Sequence, residues 1–130
     1  MNANITTYHF DQGIPGFEHL NKFYFEHVGD NIPMMLMKST DDKDLSLLVT
    51  SPFLFYPDYE WVLSDSTKEE LGIMHEGDVE IWSIITIPAD PEKSTINLLA
   101  PIVLNKTKAV GKQLILHDRN YSSRAPLNRI

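Results

Sequence analysis

The side chains able to do chemistry in this chain fall into a few short groups. His75-Glu76-Gly77-Asp78 gathers three potential ligands in four positions. A zinc-binding helix needs two His spaced as in H-E-x-x-H, so this run reads as a polar turn instead. His117-Asp118 offers a second imidazole and carboxylate, but a general base there needs a nucleophile and an orienting partner from elsewhere in the fold. Asp41-Asp42-Lys43-Asp44 with Ser46 carries oxygen ligands like a calcium loop. It lacks the central Gly, and Pro52 stands where the closing bidentate Glu belongs, which leaves a solvated acidic hairpin. Gly13-Ile14-Pro15-Gly16 puts a proline where a phosphate cradle needs an amide donor, and no helix follows it. With no cysteine in the chain, thiolate metal sites, disulfides and thiol nucleophiles drop out together.

The strongest signal is aromatic. Pro52-Phe53-Leu54-Phe55-Tyr56-Pro57-Asp58-Tyr59-Glu60-Trp61 packs five aromatic side chains, two prolines and two carboxylates into ten positions. Large rings beside fixed backbone lose little rotamer entropy on contact and are enriched at binding hot spots. Period-two alternation turns at least two of the five into the core, so binding and packing share this segment.

These groups must be carried by short strands. Ile5 to Phe10, Phe23 to Val28, Met34 to Lys38, Leu45 to Thr50, Tyr59 to Leu63, Val79 to Ile87, Ile96 to Leu104 and Val110 to His117 are rich in β-branched, aromatic or other apolar residues, and turn formers close each one. Pro101 cannot donate to a ladder, which predicts a corner at Ala100-Pro101. Ser66-Thr67-Lys68-Glu69 fits a capping box with Gly72 as the stop, predicting one short helix. The expectation is a mainly β, barrel-like fold of about eight short strands and one helix, in a single domain over residues 1–130. The stretch from Arg119 to Ile130 is basic and weakly periodic, and it either packs across the barrel or hangs free. Three N-x-S/T sequons, at Asn4, Asn105 and Asn120, matter only in a secreted chain.

Eleven Lys+Arg against eighteen Asp+Glu leave a net charge of −7. Phosphate-backbone affinity comes from cationic side chains, so nucleic acid is disfavoured as a direct ligand. The charge is uneven: residues 1–100 carry five Lys against seventeen carboxylates, a net −12, and residues 101–130 carry six cations against Asp118, a net +5. An acidic body steers a basic protein partner and also aids solubility. The first residues lack a basic n-region and an apolar h-region, and no apolar run approaches the ~20 residues of a membrane helix, which predicts a cytoplasmic protein with no membrane partner.

Taken together, Gly13-Ile14-Pro15-Gly16-Phe17-Glu18, Pro52-Phe53 leading to Tyr56-Pro57-Asp58-Tyr59, Thr86-Ile87-Pro88 followed by Thr95 to Asn105, and Gln113 to Leu116 with Tyr121 resemble the FliW family of flagellar assembly factors over about Phe10 to Leu127. The resemblance implies a cytoplasmic, barrel-like bacterial protein with neither catalytic activity nor cofactor. It implies two alternative partners, newly made flagellin and the basic RNA-binding repressor CsrA, so that export of flagellin frees the protein to capture CsrA and release flagellin mRNA. Matching positions make Phe17, Glu18, Phe53, Pro57, Asp58 and Tyr59, with neighbouring Glu60, the expected partner-binding residues, and leave Lys106, Lys108 and Lys112 facing away from CsrA. Two other readings stay open: a small β-barrel hydrolase using His75 or His117 with a carboxylate, and a barrel holding a small ligand at its centre.

Overall fold

The computed structural model describes residues 6–118 and 120–127. Its strands are β1 (Thr7–His9), β2 (Lys22–His27), β3 (Met34–Ser39), β4 (Ser46–Thr50), β5 (Val79–Thr86), β6 (Thr95–Ile96), β7 (Ile102–Asn105), β8 (Val110–Gln113) and β9 (Ala125–Pro126), with one α-helix, α1 (Asp65–Leu71). Seven strands run in the order β4-β3-β2-β1-β8-β7-β5, and β5 returns to β4, closing a barrel. The pairs are antiparallel except β1 with β8, which meet in parallel where His9 faces Val110.

Strand β5 makes the closure possible because it changes partners along its length. Val79 to Trp82 pair with β7, Ser83 and Ile84 pair with β4, and Ile85 and Thr86 turn onto β6, which in turn pairs with β9. The molecule therefore has two hydrophobic cores. Inside the barrel, Phe10, Phe23, Met37, Val49, Ile102 and Leu104 are fully buried, and the Phe10 and Phe23 rings meet edge-on at 5.3 Å between centroids. A Cβ on Gly111 would come within 2.6 Å of Phe10 Cζ, so only glycine lets the ring lie against β8. The space that the ligand-carrier reading requires is filled by side chains. Beneath β6 and β9 lies the second core, built from Tyr59, Ile85, Ile96, Leu98, Ala125 and Leu127.

Several expectations change in detail. Helix α1 begins two residues earlier than the Ser66 capping box predicts: Ser64 is the N-cap, its Oγ accepting from the Thr67 amide at 3.2 Å. Thr67 therefore takes the third helical position that the box assigned to a glutamate. Gly72 does stop the helix, at φ +64°, with its N–H on Glu69 O and the Ile73 N–H reaching back to Lys68 O. The Tyr59 to Leu63 run keeps its alternation, burying Tyr59 and exposing Glu60 and Val62, but no strand pairs with it. Ile96 to Leu104 is two strands, and the corner between them is an Asn turn: Asn97 Oδ1 accepts from both Leu99 N and Ala100 N at 3.0 Å, and Pro101 is the residue just before β7. Strand β8 ends at Gln113, after which Leu114 and Leu116 still donate to Pro101 O and Leu99 O.

Of the two outcomes for the C-terminal stretch, packing is the one seen in its described part. Ala125 and Leu127 are buried, and β9 pairs with β6. Ile5, Arg119 and residues 128–130 lie outside the described residues. Asn105, one of the three sequon positions, is fully buried. Its amide donates to Leu71 O and Gly72 O, and its Oδ1 accepts from Thr107 N and Lys108 N, tying the end of α1 to the β7–β8 turn.

Candidate functional site

The aromatic segment begins with Pro52, whose fixed φ starts a single 3₁₀ turn at Pro52–Leu54. Tyr56 N donates to Pro52 O at 2.9 Å, and Tyr59 N to Tyr56 O at 2.9 Å, so two tight turns follow each other with Pro57 and Asp58 exposed at the apex. This geometry sorts the rings. Phe53 and Leu54 point outward, Phe55, Tyr56 and Trp61 pack against the second core, and Tyr59 lies inside it at 3% exposure.

Tyr59 is thus a core residue and not a surface contact, which corrects the expectation for that position. Its hydroxyl donates to Leu98 O at 2.7 Å, its ring meets Tyr121 edge-on at 4.7 Å, and it supports Phe53 at 5.8 Å. Burial raises its pKa well above the ordinary tyrosine range, because ionisation would place a phenolate in the apolar interior. Two further tyrosines pin the same segment: Tyr56 OH donates to Pro126 O, and Tyr121 OH accepts from Glu60 N while donating to Glu60 O at 2.8 Å. The rings that the sequence marks as contact anchors partly serve to hold Phe53 in place.

Beside Phe53 the surface opens into a groove of about 620 Å³, lined by Phe53, Val62, Leu63, Ile73, Met74 and Ile81, with Lys68, His75 and Glu76 at its edge. Val62 at 92% and Met74 at 75% exposure are the most solvent-exposed large apolar side chains among the described residues. Neither belongs to the predicted site. Val62 could be found in the sequence as an apolar residue in the outward slot of the Tyr59 to Leu63 alternation. Met74 carried no signal, since only the fold brings the loop after α1 beside Phe53. A second cleft of about 410 Å³ shares Val62 and adds Trp61, Ile115 and His117. Lys112 lines this cleft and pairs with Glu70 at 2.7 Å. Lys106 and Lys108 are exposed, and the Lys108 stem lies over Gly72.

Many carboxylates are already engaged. Asp78 accepts from Thr107 Oγ1 at 2.6 Å and from His75 N at 3.1 Å, and these contacts, the threonine hydroxyl first, hold its pKa below the ordinary value. Asp42, Asp90 and Asp118 cap local turns, and Glu80 accepts from the Trp82 indole. Among the described residues the exposed side chains of Asp58, Glu60 and Glu76 have no hydrogen-bond or ion-pair partner, and the same holds for Asp30, Asp41, Asp44, Asp65, Glu69 and Glu92 elsewhere on the surface. The acidic hairpin does not gather a metal site, as no cluster of three or more ligating side chains occurs among the described residues. His75 and His117 line different clefts.

Phe17 and Glu18 lie on a separate structure. Phe17 packs on the barrel core, and Glu18 accepts from Gly16 N at 3.2 Å. Hydrogen bonds from its own amide and that of Gly16 lower the Glu18 pKa. Gly13, at φ +64°, would drive a Cβ to 2.7 Å from the Glu18 backbone, so this loop is a tight turn built for backbone approach. The fold does not join it to the 53–63 face.

No helix among the described residues is long and apolar enough to cross a membrane. A family model described as "FliW protein" matches residues 2–127. "Flagellar assembly factor FliW" of Bacillus licheniformis is 41% identical over 118 residues, covering 91% of this chain and 82% of that protein. The protein of the same description from Thermosipho africanus is 40% identical over 120 residues, covering 92% and 83%. A solved structure, "Crystal structure of the flagellar assembly factor FliW", superposes with a TM-score of 0.88 at 34% identity, covering all of this chain and 91% of that one. Matched from residue 2 to residue 127 by that family model and about 40% identical to these relatives over nine-tenths of its length, this protein belongs to the FliW family.

Proposed function

We propose that this protein is a non-enzymatic cytoplasmic regulator that binds the translational repressor CsrA and, alternatively, newly made flagellin, coupling flagellin export to flagellin translation. The observation that supports this reading best is the exposed apolar face of Phe53, Val62 and Met74, with the unengaged Glu76 lining the same groove and Asp58 and Glu60 exposed on the chain segment between Phe53 and Val62. Exposed apolar surface of this kind marks a protein contact, and free carboxylates beside it favour a basic partner. Phe53 belongs to this face, Tyr59 supports it from within, and Pro57, Asp58 and Glu60 are exposed on the segment that carries it. Phe17 and Glu18 are a second contact region on the barrel end.

Size-exclusion chromatography of the protein with CsrA, with a flagellin C-terminal segment, and with both tests the reading. Two complexes that compete are expected, and failure to bind either partner breaks it. Val62→Asp, at a side chain with almost no packing role, is expected to weaken the complexes at least about tenfold, a change of about 1.4 kcal/mol, with the melting temperature unchanged. CsrA association is expected to slow between low and physiological salt, because steering between exposed charges is screened over about 8–10 Å.

A further inference from the structure

The groove contains an oxidisable sulfur. We infer that Met74 is the peroxide-reactive methionine among the described residues and that its sulfoxide disables the groove; the second half rests on the reading of that groove as a partner-docking face. The chain has no cysteine and five methionines, so thioethers are its only sulfur chemistry. The fold separates them. Met37 is fully buried in the barrel, Met35 packs on the same core, and Met34 packs on the second core. Met74 is three-quarters exposed and sits in the groove beside Phe53 and Val62. Met1 lies outside the described residues.

The loop that presents Met74 is anchored. Gly72 closes α1 just before it, and the Asp78 carboxylate accepts the His75 N–H just after it. The thioether is therefore held at the surface. Reaction with hydrogen peroxide balances without another reactant: the sulfur lone pair attacks one peroxide oxygen, the S–O bond forms as the O–O bond breaks, and the proton on the transferred oxygen passes to the leaving hydroxide, which departs as water. Sulfur is oxidised by two electrons and the peroxide is reduced by two. The product replaces a soft apolar group with a strong dipole. Docking an apolar partner side chain on the groove would then strip water from the sulfoxide oxygen, which disfavours the complex.

The intact protein is treated with limiting hydrogen peroxide, quenched with catalase, and mapped by peptide mass spectrometry. Sulfoxide is expected at Met74 several-fold ahead of Met34, Met35 and Met37, and equal rates at any of these three overturn the assignment. The treated and untreated proteins are then titrated with purified CsrA. Oxidation is expected to weaken binding about tenfold, with recovery after methionine sulfoxide reductase. In Met74→Leu the treated and untreated affinities are expected to be equal, whatever the affinity of that variant, and a peroxide effect that survives in it overturns the switch. If untreated protein fails to bind CsrA, the docking reading and the switch fall together, while the peptide map still decides which sulfur reacts.

Discussion

The two cores of this protein are held in different ways. The barrel core is almost entirely hydrocarbon, and seven strands surround it with a closed ladder whose backbone groups pair with one another. The second core, under β6 and β9, has short ladders and relies on hydroxyls: Tyr59, Tyr56 and Tyr121 tie residues 39, 70 and 61 positions apart. A closed ladder leaves no free edge, so that end of the molecule is finished by its own backbone. Side-chain pins leave extended chain without strand partners, and the exposed Val62 and Ile115 lie on such segments. Val28 and Ile32 are exposed at the β2–β3 turn of the barrel, but the most exposed large apolar side chains, Val62 and Met74, belong to the less regular region.

Phe10→Ala puts the greatest strain on this comparison. It empties the centre of the barrel and is expected to destabilise the whole chain by about 3–5 kcal/mol, read as a lower denaturant midpoint at unchanged slope. Asn105→Ala acts at the link between barrel and helix, leaving Leu71 O, Gly72 O, Thr107 N and Lys108 N without their side-chain partner. A loss of about 2–3 kcal/mol is expected, with amide exchange rising first in α1. If the barrel amides exchange equally fast, the helix is not a separate layer.

Tyr59→Phe keeps the ring and deletes one pin, and about 1 kcal/mol is expected to be lost. It also carries a pH signature. Folding raises the Tyr59 pKa, so its contribution is complete below the unfolded tyrosine value near 10 and declines as pH rises above it. Wild type should lose stability above about pH 10 more steeply than Tyr59→Phe. Equal alkaline slopes in a pH series of thermal melts would contradict the burial of this hydroxyl. The smallest change is a gain: Ala109 sits at φ +56°, a left-handed conformation that costs an L-residue about 1 kcal/mol or more, so Ala109→Gly should raise the melting temperature slightly.

Most barrel strands were legible because each has one face in the core, and alternation records that directly. In β2, Phe23 and Phe25 face in while Tyr24 and Glu26 do not, and the Glu26–Lys38 ion pair joins neighbouring strands on the outer face. Strand β9 could not be read the same way. Two residues containing a proline carry no period, and only the partner β6 makes them a strand. The candidate site divides likewise: the aromatic run announced Phe53, but alternation alone could not tell that Tyr59 supports a neighbour from within.

The sequence by itself determined most of the barrel strands, the one helix and its stop, and the family, because local φ/ψ preferences and period-two burial are written residue by residue. It also determined the excess of acid. Only the tertiary structure decided which carboxylates are occupied by caps and hydroxyls and which stay free. It alone brought Met74 from the loop after α1 to the side of Phe53 and Val62. Such a juxtaposition depends on where β5 changes partners and how three tyrosines fold an irregular segment back, and contacts between distant segments leave no periodic trace in the chain.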